Sequence, residues 1–358
     1  MISRLSDCLL LQPHDIRPSQ TGLEVVGVFN PAVTLVGGQV VMLVRVAERP
    51  SEKRPGWMPL PYWSESGQVA VDWVRNQDLE VADARVVTLK SSGHLRLTSV
   101  SHLQLFRQSH SGSPAWECTG SLLPQGCSEE FGIEDPRVTR IDDTYWFTYV
   151  AVSRYGAATA LMSSPDCVTF ERHGIIFSSE NKDVVLFPRR IDGDYIGLHR
   201  PNPRSHFSPP QIWIARSLDL LHWGRHQPLV SGVAAWEADR VGSGCPPILV
   251  DGGWLTLYHG SDISSVAGSV GRYAAGALLL DRQQPHRVIG RSSEPIMLPT
   301  TDYETNGFVD NVVFPTAMLD MGQEVQVFYG AADTCVAAIR FSKQSVLDSL
   351  VPQGDHTS

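Results

Sequence analysis

PRVTRIDDTYWFTY, residues 136–149, is one of five segments of this chain that share the same form. Each begins at a proline, continues through a short apolar stretch to a tight turn containing Asp or Gly, and ends in an alternating strand. The other four copies occupy residues 31–45, 188–200, 247–259 and 315–329, and all five extend 12 to 14 residues beyond the proline. A hairpin that recurs at so constant a length is typical of a radial β architecture, in which each copy belongs to one unit.

A second element recurs at residues 161–170 and 214–223, and more loosely at 106–116. In each place a strand leads to a Ser/Asp turn and then to an aromatic residue that covers the next strand. Two hairpins per unit make a four-stranded blade, so the chain is predicted to be all-β, a five-bladed β-propeller with a central active-site funnel. No change in composition marks a domain boundary. Residues 1–358 are therefore expected to form one domain, with a short helix around 344–351.

Composition and charge restrict the partners. The 358 residues carry a formal net charge of −9, and nucleic acid needs a basic face, so no nucleic-acid partner is expected. The first residues lack the apolar region of a signal peptide, and no apolar run reaches about 18 residues. This pattern predicts a cytoplasmic protein without a membrane partner. Six scattered cysteines without a CxxC pair predict no metal site. A homo-oligomer is compatible with this composition.

The repeat brings polar residues to equivalent positions. In a propeller the inner strand of each blade meets the central funnel, so polar residues at the ends of these strands are candidates for one cavity. Taken alone, Asp135-Pro136 is typical of a turn, and His259 is typical of a histidine satisfied within the core. Their shared place in the repeat favours a function. The candidates are Asn30, Arg45, Asp135, Arg137, Arg200, Arg240, His259, Asp310 and Asp333.

Carboxylates and cations in one cavity indicate an acid together with an anion site. Inverting hydrolysis of a glycoside needs two carboxylates, one as the acid and one as the base that activates water. Phosphorolysis needs only the acid, because phosphate is already a nucleophile and its charge is held by Arg, Lys or His. The balance of carboxylates and cations therefore separates the two reactions.

Nine motifs, in order along the chain, resemble those of one family. They are VFNP (28–31), RVAER (45–49), FGIEDPR (131–137), NKDVVLFP (181–188), LHRP (198–201), RVGSGCPPI (240–248), GWLTLYHG (253–260), NVVFP (311–315) and YGAADT (329–334). From about residue 25 to residue 341 the chain resembles glycoside hydrolase family 130, the inverting β-mannoside phosphorylases and their hydrolytic relatives. The family fold is a five-bladed propeller. The ERPS segment (48–51), with NKD and RVGSGC, is most similar to the branch that acts on β-1,2-mannosides.

The resemblance implies a role for each candidate. Asp135 is implied to be the general acid, which in the family acts on the glycosidic oxygen through a hydroxyl of the bound mannose. Hydrolytic members lose the phosphate-binding cations, whereas this chain retains them. The implied phosphate pocket consists of Arg200, Arg240, His259 and Lys182. The implied mannoside-binding residues are Asn30, Arg45, Glu134, Arg137, Asp310, Asp333, Tyr273 and Tyr303.

The implied reaction is reversible phosphorolysis of a β-mannoside to α-mannose 1-phosphate. Inorganic phosphate is the co-substrate and no cofactor is expected, so the partners are a small oligosaccharide and phosphate. Two alternatives stay open. One is a phosphate-independent β-mannosidase on the same fold, with Glu134, Glu237 or Asp239 as the base. The other is a sugar-binding propeller without activity, which the intact EDPR motif (134–137) disfavours because a binding protein needs no buried acid.

Overall fold

The computed structural model describes residues 2–81, 84–109, 115–202, 207–265 and 270–353, and most of its regular structure is antiparallel β-sheet. The all-β class predicted from the sequence is confirmed. In chain order the strands are β1 (Ser6–Leu11), β2 (Leu23–Val36), β3 (Gln39–Pro50), β4 (Trp57–Trp63), β5 (Val69–Arg75), β6 (Leu79–Val81), β7 (Val86–Leu89), β8 (Leu95–Leu97), β9 (Val100–Gln108), β10 (Trp116–Leu122), β11 (Gly132–Ile141), β12 (Thr144–Ser153), β13 (Gly156–Ser164), β14 (Glu171–Phe177), β15 (Asn181–Leu186), β16 (Tyr195–Pro201), β17 (Ile212–Ser217), β18 (Trp223–Val230), β19 (Arg240–Ser243), β20 (Ile248–Val250), β21 (Gly253–Ser261), β22 (Tyr273–Leu280), β23 (Val288–Ser292), β24 (Val313–Asp320), β25 (Glu324–Ala331), β26 (Cys335–Ser342) and β27 (Leu350–Pro352). The helical segments are α1 (Asp302–Thr305) and α2 (Lys343–Asp348), with 3-10 turns at Pro13–Asp15, Asn76–Asp78, Cys127–Glu129 and Ala235–Glu237.

The strands of the described residues form four larger sheets and two small ones. The first larger sheet has the order β1-β26-β25-β24, so the N-terminal strand completes the sheet of the last hairpin. The second runs β14-β13-β12-β11-β9-β3-β2, with β10 also paired to β9. The other two run β15-β16-β17-β18 and β19-β21-β22-β23-β27, the last with β20 beside β21. The small sheets, β4-β5 and β6-β7-β8, both lie between β3 and β9 in the sequence.

The five repeated hairpins form where the sequence predicts them. Four turns are closed by strand pairs between β2 and β3, β11 and β12, β20 and β21, and β24 and β25. The third repeat is closed by a single bridge between Ile191 and Asp194, just before β16. In the first turn Gly37 and Gly38 have φ of 58° and 82°. A two-residue hairpin turn with positive φ at both positions favours glycine strongly, which explains the pair.

The Ser/Asp turns of the second sequence element are confirmed at residues 161–170 and 214–223, whereas the looser copy at 106–116 lies partly outside the described residues. The Ser164 hydroxyl accepts a hydrogen bond from the N–H of Cys167 at 2.8 Å, and Oδ1 of Asp166 accepts from the next two amides. Ser217 and Asp219 repeat the arrangement after β17. These side-chain bonds satisfy the amides of a tight turn and so end the strand at a defined residue.

Adjoining sheets bury their apolar side chains against each other. Leu257, Val327 and Ile339 lie in one cluster that joins β21 to β25 and β26. In a second cluster the rings of Phe187 and Trp254 pack edge to face, 5.3 Å apart. Full burial of a Leu, Val or Phe side chain contributes about 1.5–3 kcal/mol. Such clusters hold the ends of the strands, and the polar residues on them, in fixed relative positions.

The C-terminal helix is correct in place but shorter than predicted. Ser342 is its N-cap, and the Ser342 side chain accepts a hydrogen bond from the N–H of Ser345. The helix ends at Asp348 instead of 351, because Leu350–Pro352 pairs with β23 as a strand. Across the described ranges no helix is both long and apolar enough to cross a membrane.

Candidate active site

Three polar residues enter the same cavity from bulges in their strands. Asn30, Asp135 and Asp183 have φ of 51°, 49° and 56°, a left-handed backbone that is uncommon outside glycine. Each lies where the strand register shifts, in the pairs β2–β3, β11–β12 and β15–β16. A bulge redirects a side chain that would otherwise follow the strand alternation, and bulges are enriched beside active sites. The repeated distortion therefore marks this cavity as a candidate site.

The cavity has a volume of about 260 Å³ and a wall rich in charge. Its carboxylates are Glu134, Asp135, Asp183 and Asp333, and its cations are Arg45, Arg85, Lys182, Arg200 and Arg240. Asn30, Ser99 and Tyr273 complete the polar lining, and Phe29, Phe308 and Phe314 supply aromatic surface. Most of the residues expected from the sequence therefore come together. Aromatic faces and charged hydrogen-bonding groups around one cavity are suited to a small polar ligand that also has an apolar surface.

Asp135 is held by three side chains. Its Oδ1 accepts a hydrogen bond from Asn30 Nδ2 at 2.8 Å and another from Arg45 Nη1 at 3.1 Å. Arg137 lies beneath it and donates from Nη1 to the Asp135 carbonyl at 2.8 Å. Burial raises the pKa of Asp135, but the positive charges of Arg45 and Arg137 and the bond from Asn30 outweigh it, so the pKa lies below its usual range. The carboxyl is ionised at neutral pH in the unliganded protein.

Glu134 is already engaged by a cation. Its Oε1 accepts a hydrogen bond from Arg45 Nη2 at 2.7 Å and one from the Ser101 hydroxyl at 3.3 Å. The Arg45 guanidinium in turn lies 4.6 Å from the centre of the Phe29 ring. Glu134 thus contacts Arg45, which also binds Asp135.

Asp183 contacts two further site residues, Arg200 and His259. It was not among the candidates named from the sequence. Its Oδ2 accepts a hydrogen bond from Arg200 Nε at 2.7 Å and lies 3.4 Å from His259 Nε2. Burial raises the pKa of Asp183, but the charge of Arg200 and the polar contact with the His259 ring lower it by more, so the group stays ionised. A side chain at Gly242 would place Cβ only 2.4 Å from Asp183 Oδ2, so this close packing requires glycine. The NKD motif was the available signal, since Asp183 directly follows Lys182.

Arginine donors beside Asp183 are placed to bind an anion. Among the described residues, Arg200 Nη1 and both ring nitrogens of His259 are buried and have no hydrogen-bond partner. Burial lowers the pKa of His259 more than Asp183 raises it, so its imidazole is neutral at neutral pH. Arg240 lines the cavity and donates from Nε to Asp239 Oδ2 at 2.6 Å. An unpaired buried donor is costly, and an oxyanion in the cavity would satisfy Arg200 and also meet the charge of Arg240.

A fourth carboxylate pairs with a cation from an inserted segment. Asp333 follows the hairpin strand β25, with φ of 48°, and its Oδ2 lies 3.4 Å from Arg85 Nη1. Burial raises the pKa of Asp333, although Arg85 and Arg45 oppose the shift. Arg85 precedes β7 of the small three-stranded sheet, and no sequence pattern indicated it. The two residues are 248 positions apart, so only the fold brings them together.

Four of the expected site residues lie elsewhere. Arg137 and His259 are buried behind the wall, where Arg137 Nε also binds the Gly244 carbonyl at 2.7 Å, so they support the site from below. Asp310 accepts a hydrogen bond from the N–H of Gly307 on the exposed loop after α1. Tyr303 packs against the core cluster of β21–β26. Neither Asp310 nor Tyr303 lines the cavity, and their expected contact with the sugar stays a prediction.

Comparisons with known proteins show which family the chain belongs to. The family profile Glyco_hydro_130, described as beta-1,4-mannooligosaccharide phosphorylase, matches residues 81–351. The chain is 38% identical over 356 residues to a beta-1,2-mannobiose phosphorylase of Listeria innocua serovar 6a, with 98% of each chain covered. It is 37% identical over 209 residues to a 1,2-beta-oligomannan phosphorylase of Thermoanaerobacter sp. strain X514, covering 57% of this chain and 66% of that protein.

A solved structure shows the same relationship in three dimensions. The complex of beta-1,2-mannobiose phosphorylase from Listeria innocua with beta-1,2-mannobiose superposes with a TM-score of 0.88 at 36% identity, covering 95% of this chain and 96% of that one. The chain therefore belongs to glycoside hydrolase family 130, the family resemblance noted in its motifs.

Proposed function

We propose that this protein is an inverting phosphorylase of β-1,2-linked mannosides. It transfers the terminal mannosyl unit to inorganic phosphate, yielding α-mannose 1-phosphate and a shortened acceptor, and the reaction is reversible. The observation that carries the proposal is the union in one cavity of a buried carboxyl, Asp135, with the cation group around Asp183. The relatives named beta-1,2-mannobiose and 1,2-beta-oligomannan phosphorylase support the linkage.

The geometry suits two roles on opposite sides of the sugar. Arg200, Arg240 and Lys182, with His259 behind them, hold phosphate, whose oxygen attacks the anomeric carbon of mannose. Asp135 supplies a proton to the leaving oxygen by way of a mannose hydroxyl. The bond from the anomeric carbon to the leaving oxygen breaks as the bond to phosphate forms on the other face, which inverts the configuration. No cofactor is required, because the arginines supply the charge that phosphate needs.

Phosphate binding also prepares the acid. In the unliganded protein Arg45 and Arg137 help to keep the pKa of Asp135 low. Phosphate brings between one and two negative charges into the same small cavity, and a nearby negative charge raises the pKa of a carboxyl. The nucleophile thus increases the protonated fraction of the acid when it arrives. Asn30 and Arg45 hold the carboxyl in place during this change.

The overall arrangement that we infer is a single five-bladed propeller of residues 1–358 around a central funnel. Two observations support it. The first strand pairs with the last hairpin, as ring closure requires, with Ser6 opposite Arg340. The cavity also collects polar residues from each of the five repeat units: Arg45, Asp135, Arg200, Arg240 and Asp333.

Dependence on phosphate tests the proposal directly. The protein is incubated with β-1,2-mannobiose in phosphate and in chloride at equal ionic strength, and the released sugars are separated by chromatography. We expect mannose 1-phosphate in phosphate and almost no product in chloride. Free mannose at the same rate in both buffers would establish the hydrolase instead. Binding of mannobiose without any product would establish the non-catalytic alternative.

A further inference from the structure

The segment inserted between β3 and β9, residues 51–99, contributes a charged residue to the cavity. This segment contains both small sheets, and it lines the cavity with Arg85, Val86, Leu97 and Ser99. The Arg85 carbonyl accepts a hydrogen bond from the Thr98 N–H at 2.9 Å, and the Ala84 carbonyl accepts one from the Thr98 hydroxyl at 2.8 Å. The backbone that carries Arg85 is therefore fixed by the residue that follows β8.

Arg85 pairs with Asp333 on the wall of the cavity. Its Nη1 lies 3.4 Å from Asp333 Oδ2, and the two side chains are 35% and 18% exposed. Both residues line the cavity, so a bound ligand can reach the pair. An ion pair that is open to solvent in this way contributes little to stability. Its place on the cavity wall therefore favours a role in ligand binding.

Two cations and two other carboxylates face Asp333. Burial raises the pKa of Asp333 and is the largest effect, Arg85 and Arg45 lower it, and Asp135 and Glu134 raise it, so the pKa lies above its usual range. Arg45 donates hydrogen bonds to the other two carboxylates. Among the described residues, the cation at ion-pair distance from Asp333 is Arg85. Loss of Arg85 would therefore raise the pKa of Asp333 further.

The ionised form of Asp333 is the one suited to a sugar. A carboxylate accepts hydrogen bonds at both oxygens, so it can bind two hydroxyls of one pyranose, whereas a protonated carboxyl loses part of that capacity. The charge of Arg85 also acts on Arg240, where it opposes the rise in pKa, but its ion-pair contact is with Asp333. We propose that Arg85 is a positioning residue for the mannoside, which holds the Asp333 carboxylate in place to accept hydrogen bonds from mannose hydroxyls. This inference rests on the proposed function and gives a residue of the inserted segment a part in substrate binding.

Binding without turnover tests this role. The affinity for β-1,2-mannobiose is measured by calorimetry in phosphate-free buffer at pH 8 and pH 5, with the wild type and the neutral variants Arg85→Met and Arg85→Gln. Binding that needs the Asp333 carboxylate is complete above its pKa and is lost as the pH falls through it. Because the neutral variants raise that pKa, we expect the affinity at pH 5 relative to pH 8 to be lower than in the wild type by roughly twofold to fivefold.

Two further variants serve as controls. Arg85→Lys keeps the positive charge and should keep the ratio of affinities close to that of the wild type. Lys90→Met removes the same charge from the same small sheet, at an exposed position after β7 where the Lys90 ammonium donates to the Gln77 carbonyl at 2.8 Å. Lys90 does not line the cavity, so Lys90→Met should leave the ratio unchanged.

Several outcomes would overturn the role of Arg85. They are an unchanged ratio of affinities in both neutral variants, an equal fall in Lys90→Met, and failure of both neutral variants to fold, which would make Arg85 a structural residue. A larger rise in KM for phosphate than in KM for the mannoside would also overturn it and assign Arg85 to phosphate. All of these results leave the phosphorylase proposal standing. That proposal fails if the wild type forms no mannose 1-phosphate from β-1,2-mannobiose and phosphate.

Discussion

At the scale of single residues, the site depends on side chains whose charge is set by immediate neighbours. Asp135 is held by Asn30 and Arg45, and Asp183 is held between Arg200 and His259. Both carboxylates sit on left-handed backbone at a bulge, a conformation that costs of order 1–3 kcal/mol and is kept because the surrounding sheet enforces it. Asp135 lines the cavity as the proposed acid, whereas Asp183 contacts Arg200 and His259.

Replacement of Asp135 by Asn removes the proposed acid with almost no change of shape. A general acid contributes about 10²–10⁴-fold to the rate, so kcat for phosphorolysis should fall by at least that range. The thermal unfolding temperature should stay close to that of the wild type. Steady-state kinetics and calorimetry on the same preparation check both statements. Near-normal turnover in Asp135→Asn would show that another group donates the proton.

Asp183 is expected to act on phosphate through the residues that it positions. Asp183→Asn weakens a charged hydrogen bond to Arg200, and a bond of this kind is worth about 1.5–3 kcal/mol. We expect KM for phosphate to rise tenfold or more, while KM for the mannoside moves much less, because its hydroxyls bind other groups. Steady-state kinetics with phosphate and the mannoside varied in turn measure the two KM values separately.

The matched control for Asp183 is the same substitution at Asp239. The Asp239 side chain is 36% exposed and pairs with Arg240, whereas that of Asp183 is 2% exposed. Exposed ion pairs contribute little, so Asp239→Asn should change KM for phosphate only slightly. A positioning role for Asp183 would be contradicted if KM for phosphate rose equally in Asp183→Asn and Asp239→Asn. It would also be contradicted if Asp183→Asn raised KM for phosphate and KM for the mannoside equally.

At the scale of elements, three of the repeat units contain the same buried cluster. A tyrosine near the end of the inner strand donates a hydrogen bond to a glutamate, which also pairs with an arginine. The clusters are Tyr149–Glu129–Arg172, Tyr258–Glu237–Arg291 and Tyr329–Glu304–Arg4. The tyrosines of the second and fifth repeats therefore point away from the cavity, because their hydroxyls are used to tie a short helical turn to the strand.

This cluster assigns Glu237 to stability instead of catalysis. Glu237→Ala leaves the largely buried Arg291 without its carboxylate, and breaking a buried pair costs about 3–5 kcal/mol. We expect the free energy of unfolding in urea to fall by that amount, with kcat per folded molecule unchanged. Loss of turnover at wild-type stability would return Glu237 to consideration as the base of a hydrolase.

At the scale of the whole molecule, buried neutral histidines link stability to pH. Burial lowers the pKa of His102 to about 4. Its Nδ1 faces Glu48, 3.6 Å away, and its Nε2 lies 3.3 Å from Gln104 Nε2. Below pH 6.5 the unfolded chain binds a proton at this residue that the folded protein does not bind. The stability contributed by the neutral ring is complete above that pH and is lost as the pH falls toward 4.

The size of this effect can be measured by urea unfolding at pH 7 and pH 5. Protonation of His102 in the unfolded chain should lower the free energy of unfolding of the protein by roughly 2 kcal/mol from pH 7 to pH 5. His102→Gln cannot take up the proton, so its free energy of unfolding should fall less than that of the wild type, by roughly 2 kcal/mol. An identical pH dependence in the variant and the wild type would mean that His102 is protonated to the same extent in both states of the chain.

The local parts of this fold could be predicted from the sequence because they depend on neighbouring residues. Gly37-Gly38 and Asp142-Asp143 encode their hairpin turns, and Ser164 with Asp166 encodes a strand end. The family motifs pointed to Asp135 and to the cations in the same way, and the structure brings Asp135, Lys182, Arg200 and Arg240 to one cavity.

Tertiary structure decided which side chains face the ligand space and which lie behind it. Arg137 and His259 are under the wall, Asp310 and Tyr303 are outside it, and Asp333 meets Arg85 from 248 positions away. Such placements depend on the register of bulged strands and on how separate sheets pack, and no short stretch of sequence contains that information. A strand pattern alternates sides every residue, so one bulge is enough to reverse the assignment.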